Sequence, residues 1–555
     1  MGNKVKRKSD GFIMQAGILA AAGIIVRIIG ILYRSPLTAV IGDEGNGYYG
    51  YAYNIYANIL LVSSYSIPSA ISKVMSAKLA RHEYRDAHRM FRCAFIYVIV
   101  VGGAASLFAY FAAPVLVVSN AVSVLRIFAP TIFLSGFLGV LRGYFQAHGS
   151  MVQTSVSQII EQILNAGVSI GAAYLFVRSA ASRASSKGLD AAQSATLKAI
   201  SGAGGSALGT GCGVAIALVF MIWMYVINRR YIARRLKQDV HGGRETDAEI
   251  YKEIFFIVTP FILSTFIYNC TTVVNQTIYT KIMMNVKKMG QEQAATLYGV
   301  FSGKAIVLRN IPVALASAMS AAIVPTVASA WAVKEKKDAR EKVAKAVKTT
   351  MIVAMPCMVG LTVLAKPVVT LLFNQKDSIE LASILLMMLA PTVIFYCIST
   401  ITNSVLQSIG LVNRPVIHAA IALGAQAVLL AALLIYTDLS LYALVIVDIA
   451  YSLLMCIMNG AAVRKHMHYQ QEIGKTFIRP LLCSAVMGGA AYVVYVNLYR
   501  LIKSNVVSLA AAVVVSMVVY LYIILATGAV SEEELKGLPK GEMISRLAKK
   551  LRFIR

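Results

Sequence analysis

The chain has 555 residues, enough for several soluble domains, yet 58% of them are apolar and only 14% are charged. Soluble chains average roughly 45–50% apolar and about 25% charged, and mean hydropathy here is +0.69. Soluble chains beyond a few hundred residues split into domains and do not build one larger core, so the excess apolar surface must face lipid. The 53 Lys+Arg against 25 Asp+Glu are then a topology signal before they are a nucleic-acid signal, and no nucleic-acid partner is expected.

The N-terminus carries Lys4, Lys6, Arg7 and Lys8 ahead of a long apolar run that contains Arg27. That run is about twenty residues, long enough for a first span and too long for a cleaved signal. A helix rises about 1.5 Å per residue and the hydrocarbon is about 30 Å thick. On that measure spans are expected near 12–33, 47–67, 93–117, 122–146, 152–177 and 204–227. A second set is expected near 253–281, 296–330, 347–373, 379–409, 415–436 and 440–463, with two more near 476–498 and 505–528. The 296–330 stretch exceeds one span, and Pro312 and Pro325 are expected to bend it.

Charge tests this count of fourteen. With the N-terminus inside, the inner pieces are 1–10, 73–92, 147–150, 228–252, 331–348, 410–414, 464–475 and 529–555. They hold 35 Lys+Arg against 9 in the outer pieces, with Arg34 assigned to the end of the first span. The positive-inside rule expects such an imbalance, so both termini are expected in the cytoplasm.

The chain also repeats itself. APTIFLSGFLGVLRGYFQAHG (129–149) and APTVIFYCISTITNSVLQSIG (390–410) align at an offset of 261, with Gln146/Gln407 and Gly149/Gly410 in register. A weaker match pairs RDAHRMFR (85–92) with KDAREKVA (337–344). An even number of spans separates the copies, so the expected fold is all-α, with two parallel six-helix lobes and two extra helices. The expected pieces are a cytoplasmic N-terminus 1–10, lobes 11–227 and 253–463 joined by a basic linker 228–252, the last two spans in 464–528, and a basic amphipathic tail 529–555.

No enzyme signature is present: G-x-x-x-x-G-K-[ST] is missing, and the glycines of SGAGGSALGTGCG (201–213) read as close helix packing. Seven cysteines stand singly, without C-x-x-C, and read as small packing residues. The informative residues are charges inside spans, each costing about 2.5–3.5 kcal/mol at a helix centre. Arg27 lies about 24 Å along its span, and Lys304 and Arg309 about 12 and 20 Å into theirs. Arg34 and Arg142 lie nearer span ends. Acidic counterparts are few, chiefly Glu161 and Asp448.

A cavity with more cations than anions suits an anionic ligand, and arginine forks onto phosphate oxygens while staying protonated. The substrate-binding candidates are therefore Arg27, Arg34, Arg142, Glu161, Lys304 and Arg309. Glu161, near mid-membrane, is expected to contact an arginine of the first or fourth span, with Arg27 the deepest. The alternative reading is that such pairs only fix helix register. Tyr48, Tyr49, Tyr51, Tyr53, Asn54, Tyr56 and Asn58 face either sugars or an interface.

LRGYFQAHGSMVQTSVSQIIEQ (141–162), VRIIGILYR (26–34) and LRNIPVALASAMSAAIVPTVAS (308–329) together resemble the SpoVB-like and MurJ-type branch of the multidrug/oligosaccharidyl-lipid/polysaccharide flippases. The resemblance covers essentially the whole chain. It implies fourteen helices in two lobes around a central cavity, in the bacterial cytoplasmic membrane, and flipping of undecaprenyl-diphosphate-linked precursors, above all lipid II. It also implies cavity arginines from the first, second and eighth spans. Arg27 and Arg34 match the first, whereas Ile59 and Val307 stand at the other two positions, with Lys304 and Arg309 beside the latter. A sodium site implied for some members would fall to Asn269, Asn275, Gln426 and Asp448.

Three functions compete: a lipid II flippase working by alternating access, a cation-coupled multidrug exporter, and a scaffold for wall-synthesis proteins. Flippases for spore-cortex, teichoic or capsular precursors share the same diphosphate handle. No cofactor is expected. Coupling is expected to the membrane potential or a monovalent cation, in a monomer whose basic tail meets membrane lipids or wall-synthesis partners. The charge imbalance makes one direct prediction: a reporter fused after Arg555 is active only in the cytoplasm, and an outside-only signal contradicts fourteen spans.

Overall fold

The computed structural model describes residues 22–23, 25–30, 32–65, 67–228, 239, 246–373, 375–469 and 471–528. The expected N-terminal segment 1–10, the tail 529–555 and most of the linker 228–252 lie outside them. Among the described residues every regular element is helical. The chain divides into two compact units, Met1–Gly299 and Val300–Arg555.

The first unit holds α1 (Arg34–Leu60), α2 (Ile67–Ala80), α3 (Tyr84–Tyr97), α4 (Val122–Ala147), α5 (Val152–Ser186), α6 (Ala191–Ile227) and α7 (Asp247–Asn285), and α8 (Gln291–Val300) runs to its boundary. The second holds α9 (Ile306–Ala332), α10 (Lys336–Val363), α11 (Lys376–Leu389), α12 (Thr392–Ser408), α13 (Asn413–Tyr436), α14 (Leu441–Met467), α15 (Arg479–Ile502) and α16 (Asn505–Ala526). The two units thus meet in the chain at Gly299. The reason is packing: α7, expected to open the second lobe, packs against α1, α2 and α3.

Ten helices among the described residues are long and apolar enough to cross a membrane, or eleven if α11 and α12, bent by 46°, count as one. They match eleven of the expected spans. Of the remaining three, 12–33 begins outside the described residues and 253–281 lies inside the 39-residue α7. The third, 47–67, falls on α1 and the π-helical turn Leu61–Tyr65. The α1 sequence GDEGNGYYGYAYNIYANIL is too rich in glycine, tyrosine and asparagine to read as a lipid-facing span.

Local chemistry sets the helix ends. Thr246 caps α7 in a reciprocal capping box with Glu249, and the Thr246 backbone N–H and hydroxyl hold the Glu249 carboxyl below the usual carboxylate range. Asp190 caps α6 through the Gln193 N–H at 2.7 Å. Inside α1, Gly42 adopts φ +70° and breaks the helix into two segments, a conformation that glycine alone takes without cost.

The internal repeat has a physical basis in its caps. Gly149 and Gly410 both take left-handed φ, +76° and +85°. In one copy Gly149 N–H donates to Gln146 O and Ser150 N–H to Phe145 O; in the other Gly410 N–H donates to Gln407 O and Leu411 N–H to Leu406 O. The shared Gln and Gly thus mark one helix-terminating turn used twice. The shared proline behaves differently: Pro130 sits inside α4, while Pro391 stands at the α11–α12 bend.

Each unit has its own apolar core. In the first, Met90, Phe91, Leu138, Leu141, Tyr144 and Met221 pack together from α3, α4 and α6. In the second, Val327, Val343, Met351, Cys397, Val405 and Val463 do so from α9, α10, α12 and α14. The α15–α16 hairpin packs on α10, where Tyr520 donates to Ile352 O at 2.7 Å. Only 17% of the apolar window of α16 is buried, as a lipid-facing helix requires.

The longest helix interface joins α5 and α6 through small residues. A Cβ on Gly205 would lie 2.6 Å from Ala173 N, and one on Gly213 2.6 Å from Glu161 O. At Gly209 a Cβ would overlap Ser169 outright. The glycine run of α6 therefore serves packing, as expected. Gly209→Ala should destabilise the protein by about 1–3 kcal/mol, the usual cost of overpacking, read as a lower melting temperature in detergent. Gly171→Ala, whose Cβ would meet nothing within 4 Å, is the control and should match or exceed wild type.

Candidate functional site

The second segment of α1 places Tyr49, Tyr53 and Tyr56 on one helical face, and this face walls a cavity of about 580 Å³ in the first unit. Across it stand Glu161, Gln162 and Asn165 of α5, Thr210 of α6 and Asn269 of α7. Gly30, Tyr33 and Arg34 close the end where the first described helix meets α1. A Cβ on Gly30 would come within 3.2 Å of Gln162 Nε2, so glycine there admits the amide.

Arg34 is the cation of this cavity. Its guanidinium carbon lies 5.0 Å from the centre of the Tyr49 ring and 5.9 Å from that of Tyr33. Those rings stabilise the charge through their π faces, and the guanidinium's five N–H donors still suit an anion. The wall itself is a stack. Tyr49 and Tyr53 are 5.6 Å apart with planes 13° from parallel, and Phe128 of α4 packs behind, 4.6 Å from Tyr56.

The opposite face of α1 anchors it. Asn54 Nδ2 donates to Gln276 Oε1 at 2.6 Å and to the Tyr298 hydroxyl at 3.0 Å, while Gln276 Nε2 donates to Tyr51 O at 3.1 Å. Gly47 of α1 and Gly299 allow backbone contact between α1 and α8, since a Cβ on either would overlap Ala295 or Asp43. The tyrosine wall is thus held on a rigid element.

Glu161 lines the cavity, and its carboxylate accepts from Arg142 at 2.7 Å. Arg142 Nε also donates to Ser157 Oγ at 2.9 Å. The expected pairing of Glu161 with an arginine is therefore made by the fourth-span arginine. Arg27 is exposed and does not line the cavity. Helical spacing puts Arg27 on the same side as Gly30 and Arg34, but the cavity lining begins at Gly30, about one turn further along the chain.

Lys304 and Arg309 are engaged within the second unit. Lys304 is fully buried in the π-helical turn Phe301–Ala305. It donates to Ser378 Oγ at 2.6 Å and lies 5.6 Å from the Phe373 ring. Arg309, 6% exposed, pairs with Asp448, 7% exposed, at 3.2 Å. Tyr396 donates to the other Asp448 oxygen at 2.9 Å, and its ring lies 4.5 Å from the Arg309 guanidinium. Of the cation-site candidates, Asp448 has both oxygens engaged and Asn269 walls the cavity. The Asn275 carboxamide oxygen and both Gln426 amide atoms are buried without hydrogen-bond partners among the described residues. Among those residues no group of three or more His, Cys, Asp or Glu side chains could hold a metal.

Sequence reading missed Gln162, Asn165, Thr210 and Phe128. Asn165 Oδ1 accepts from Thr210 at 3.3 Å and from Ser169 at 2.9 Å, and only the α5–α6 glycine contacts bring these groups together. The Arg309–Asp448 pair carries a prediction of its own. Asp448→Asn leaves a buried guanidinium uncompensated and should cost about 3–5 kcal/mol, measured as thermal stability. Arg309→Met with Asp448→Leu should recover most of that loss.

Comparison with known proteins agrees with this architecture. A family model described as "Polysaccharide biosynthesis protein" matches residues 13–331, more than half the chain, and the MatE model matches residues 302–433. The chain is similar to the lipid II flippase MurJ of Bacillus subtilis (strain 168), 24% identical over 91% of this chain and 93% of the relative. It is 21% identical to stage V sporulation protein B of the same organism, over 94% and 96% of the two chains. Among solved structures, an inward closed conformation of a lipid II flippase MurJ superposes with TM-score 0.64 at 16% identity, covering 91% of this chain and 97% of that one. The chain belongs to the polysaccharide biosynthesis protein family, as a multi-pass membrane protein of the multidrug/oligosaccharidyl-lipid/polysaccharide superfamily.

Proposed function

We propose that the protein flips an undecaprenyl-diphosphate-linked cell-wall precursor, above all lipid II, across the cytoplasmic membrane by alternating access. The observation that carries this reading is Arg34, set against a tyrosine wall inside a bundle of apolar helices. A diphosphate headgroup crossing bare hydrocarbon meets a prohibitive desolvation barrier. A cavity that offers a guanidinium to the phosphates lowers that barrier, because charge-assisted bidentate bonds replace water.

The rest of the cavity suits sugars. Tyrosine faces give flat apolar platforms for the CH-rich faces of pyranose rings, while Gln162, Asn165, Thr210 and Asn269 offer donors and acceptors for hydroxyl and acetamido groups. The polyprenyl tail stays in lipid beside the exposed apolar helices. Similarity to a lipid II flippase and to a stage V sporulation protein supports the lipid-linked class, and the resemblance set out above implies lipid II above all. In this reading the protein works as a monomer with both termini in the cytoplasm, and draws on the membrane potential or a monovalent cation. Its basic tail lies against anionic lipid.

Binding of lipid II to the purified protein tests this. Arg34→Ala removes a charge-assisted contact of about 1.5–3 kcal/mol and should weaken binding roughly ten- to a hundredfold, with Arg34→Lys between it and wild type. Arg27→Ala, outside the cavity, should bind as wild type does. Export of ethidium without lipid II binding would replace this function with that of a cation exporter.

A further inference from the structure

The cavity wall carries two formal charges of opposite sign, Arg34 and Glu161. Taken alone they would sum to zero, and a carboxylate within the cavity would repel the anion that Arg34 attracts. Both line the same cavity, as Tyr53 does. What decides the sign is a third residue outside the wall. Arg142 comes from α4, is not a lining residue, and grips the Glu161 carboxylate at 2.7 Å.

Its placement is built. Arg142 Nε donates to Ser157 Oγ, and Ser157 in turn donates to Thr154 O at 2.7 Å. The side chains of Arg142 and Glu161 are 14% and 29% exposed, so the arginine is the more enclosed partner and the carboxylate stands nearer the cavity. A charge-assisted hydrogen bond of this length, on an arginine already fixed by Ser157, holds Glu161 on Arg142. Without Arg142, the cation on the cavity lining for Glu161 is Arg34, and an Arg34–Glu161 pair would neutralise the charge and compete with a phosphate for the guanidinium.

We propose that Arg142 is a positioning residue which, by holding Glu161, keeps Arg34 available and makes the cavity selective for phosphate-ester anions over neutral lipids. This rests on the reading that Arg34 receives the diphosphate. Arg142 itself does not touch the ligand. The distinction matters, because a directly binding arginine and a positioning arginine give opposite results in a double substitution.

The test is binding of two probes, undecaprenyl diphosphate and the neutral undecaprenol, to full-length protein in nanodiscs, with a melting temperature for each variant. Arg142→Gln should weaken diphosphate binding about tenfold and leave undecaprenol binding unchanged. Glu161→Gln should bind diphosphate at least as tightly as wild type. Arg142→Gln combined with Glu161→Gln should return to within about twofold of wild type. A double variant as weak as Arg142→Gln alone overturns the proposal, as does an Arg142→Gln variant with wild-type affinity. Should Arg142→Gln fail to fold, Glu161→Gln carries the test, and tenfold weaker binding by it is the contrary result. Arg34→Ala separates the two levels: if it binds diphosphate as wild type does, the reading of the cavity fails, whereas its loss of binding alongside an unrescued double variant sinks only the role of Arg142.

Discussion

Inside hydrocarbon no water answers a charge, so each ionised side chain in a span has to be met by the protein itself. Four cations within the helices obey that constraint in different ways. Arg309 is met by Asp448 and the Tyr396 ring, Lys304 by Ser378 and the Phe373 ring, and Arg142 by Glu161 and Ser157. Arg34 is met, among the described residues, by the ring faces of Tyr33 and Tyr49. Aromatic faces stabilise a cation without occupying its donors in the guanidinium plane. That is the difference between a charge spent on architecture and one turned to a ligand.

The architecture behind the cavity depends on how closely helices approach. Glycines along α6 let it lie against α5 nearly backbone to backbone, which sets Asn165 beside Thr210 and Glu161 at the cavity wall. Glycines at 47 and 299 do the same for α1 and α8, and the Asn54–Gln276–Tyr298 bonds lock that contact. The polar middle of α1 is thereby consistent with a helix enclosed by others and lining a cavity, not facing lipid. Packing and chemistry share the same residues here.

Much of this was legible in the sequence, and the reasons differ by feature. Composition alone demanded a membrane bundle, and eleven expected spans coincide with the apolar helices because length and hydropathy are local properties. The repeat was legible through Gln146, Gly149, Gln407 and Gly410 because a left-handed cap constrains residue type at one position. Span depth located the unusual charges but could not assign partners. Arg27 and Arg34 sit seven residues apart, on one helical face, yet the cavity lining begins only at Gly30, and no local pattern shows where a cavity ends. Asp448 and Arg309 are 139 residues apart, and no local pattern links them. The packing of α7 with α1 to α3 likewise follows from no loop or local pattern.

The central claim is that Arg34 and the tyrosine wall of the first unit form the headgroup site. The most direct measurement is an electron cryomicroscopy structure of the protein with lipid II bound. The account predicts diphosphate density within about 3 Å of the Arg34 guanidinium, with a sugar ring against Tyr49 or Tyr53 and the Arg142–Glu161 pair intact. Diphosphate density away from Arg34, at Arg27 or at Arg309 with its pair to Asp448 opened, would contradict it.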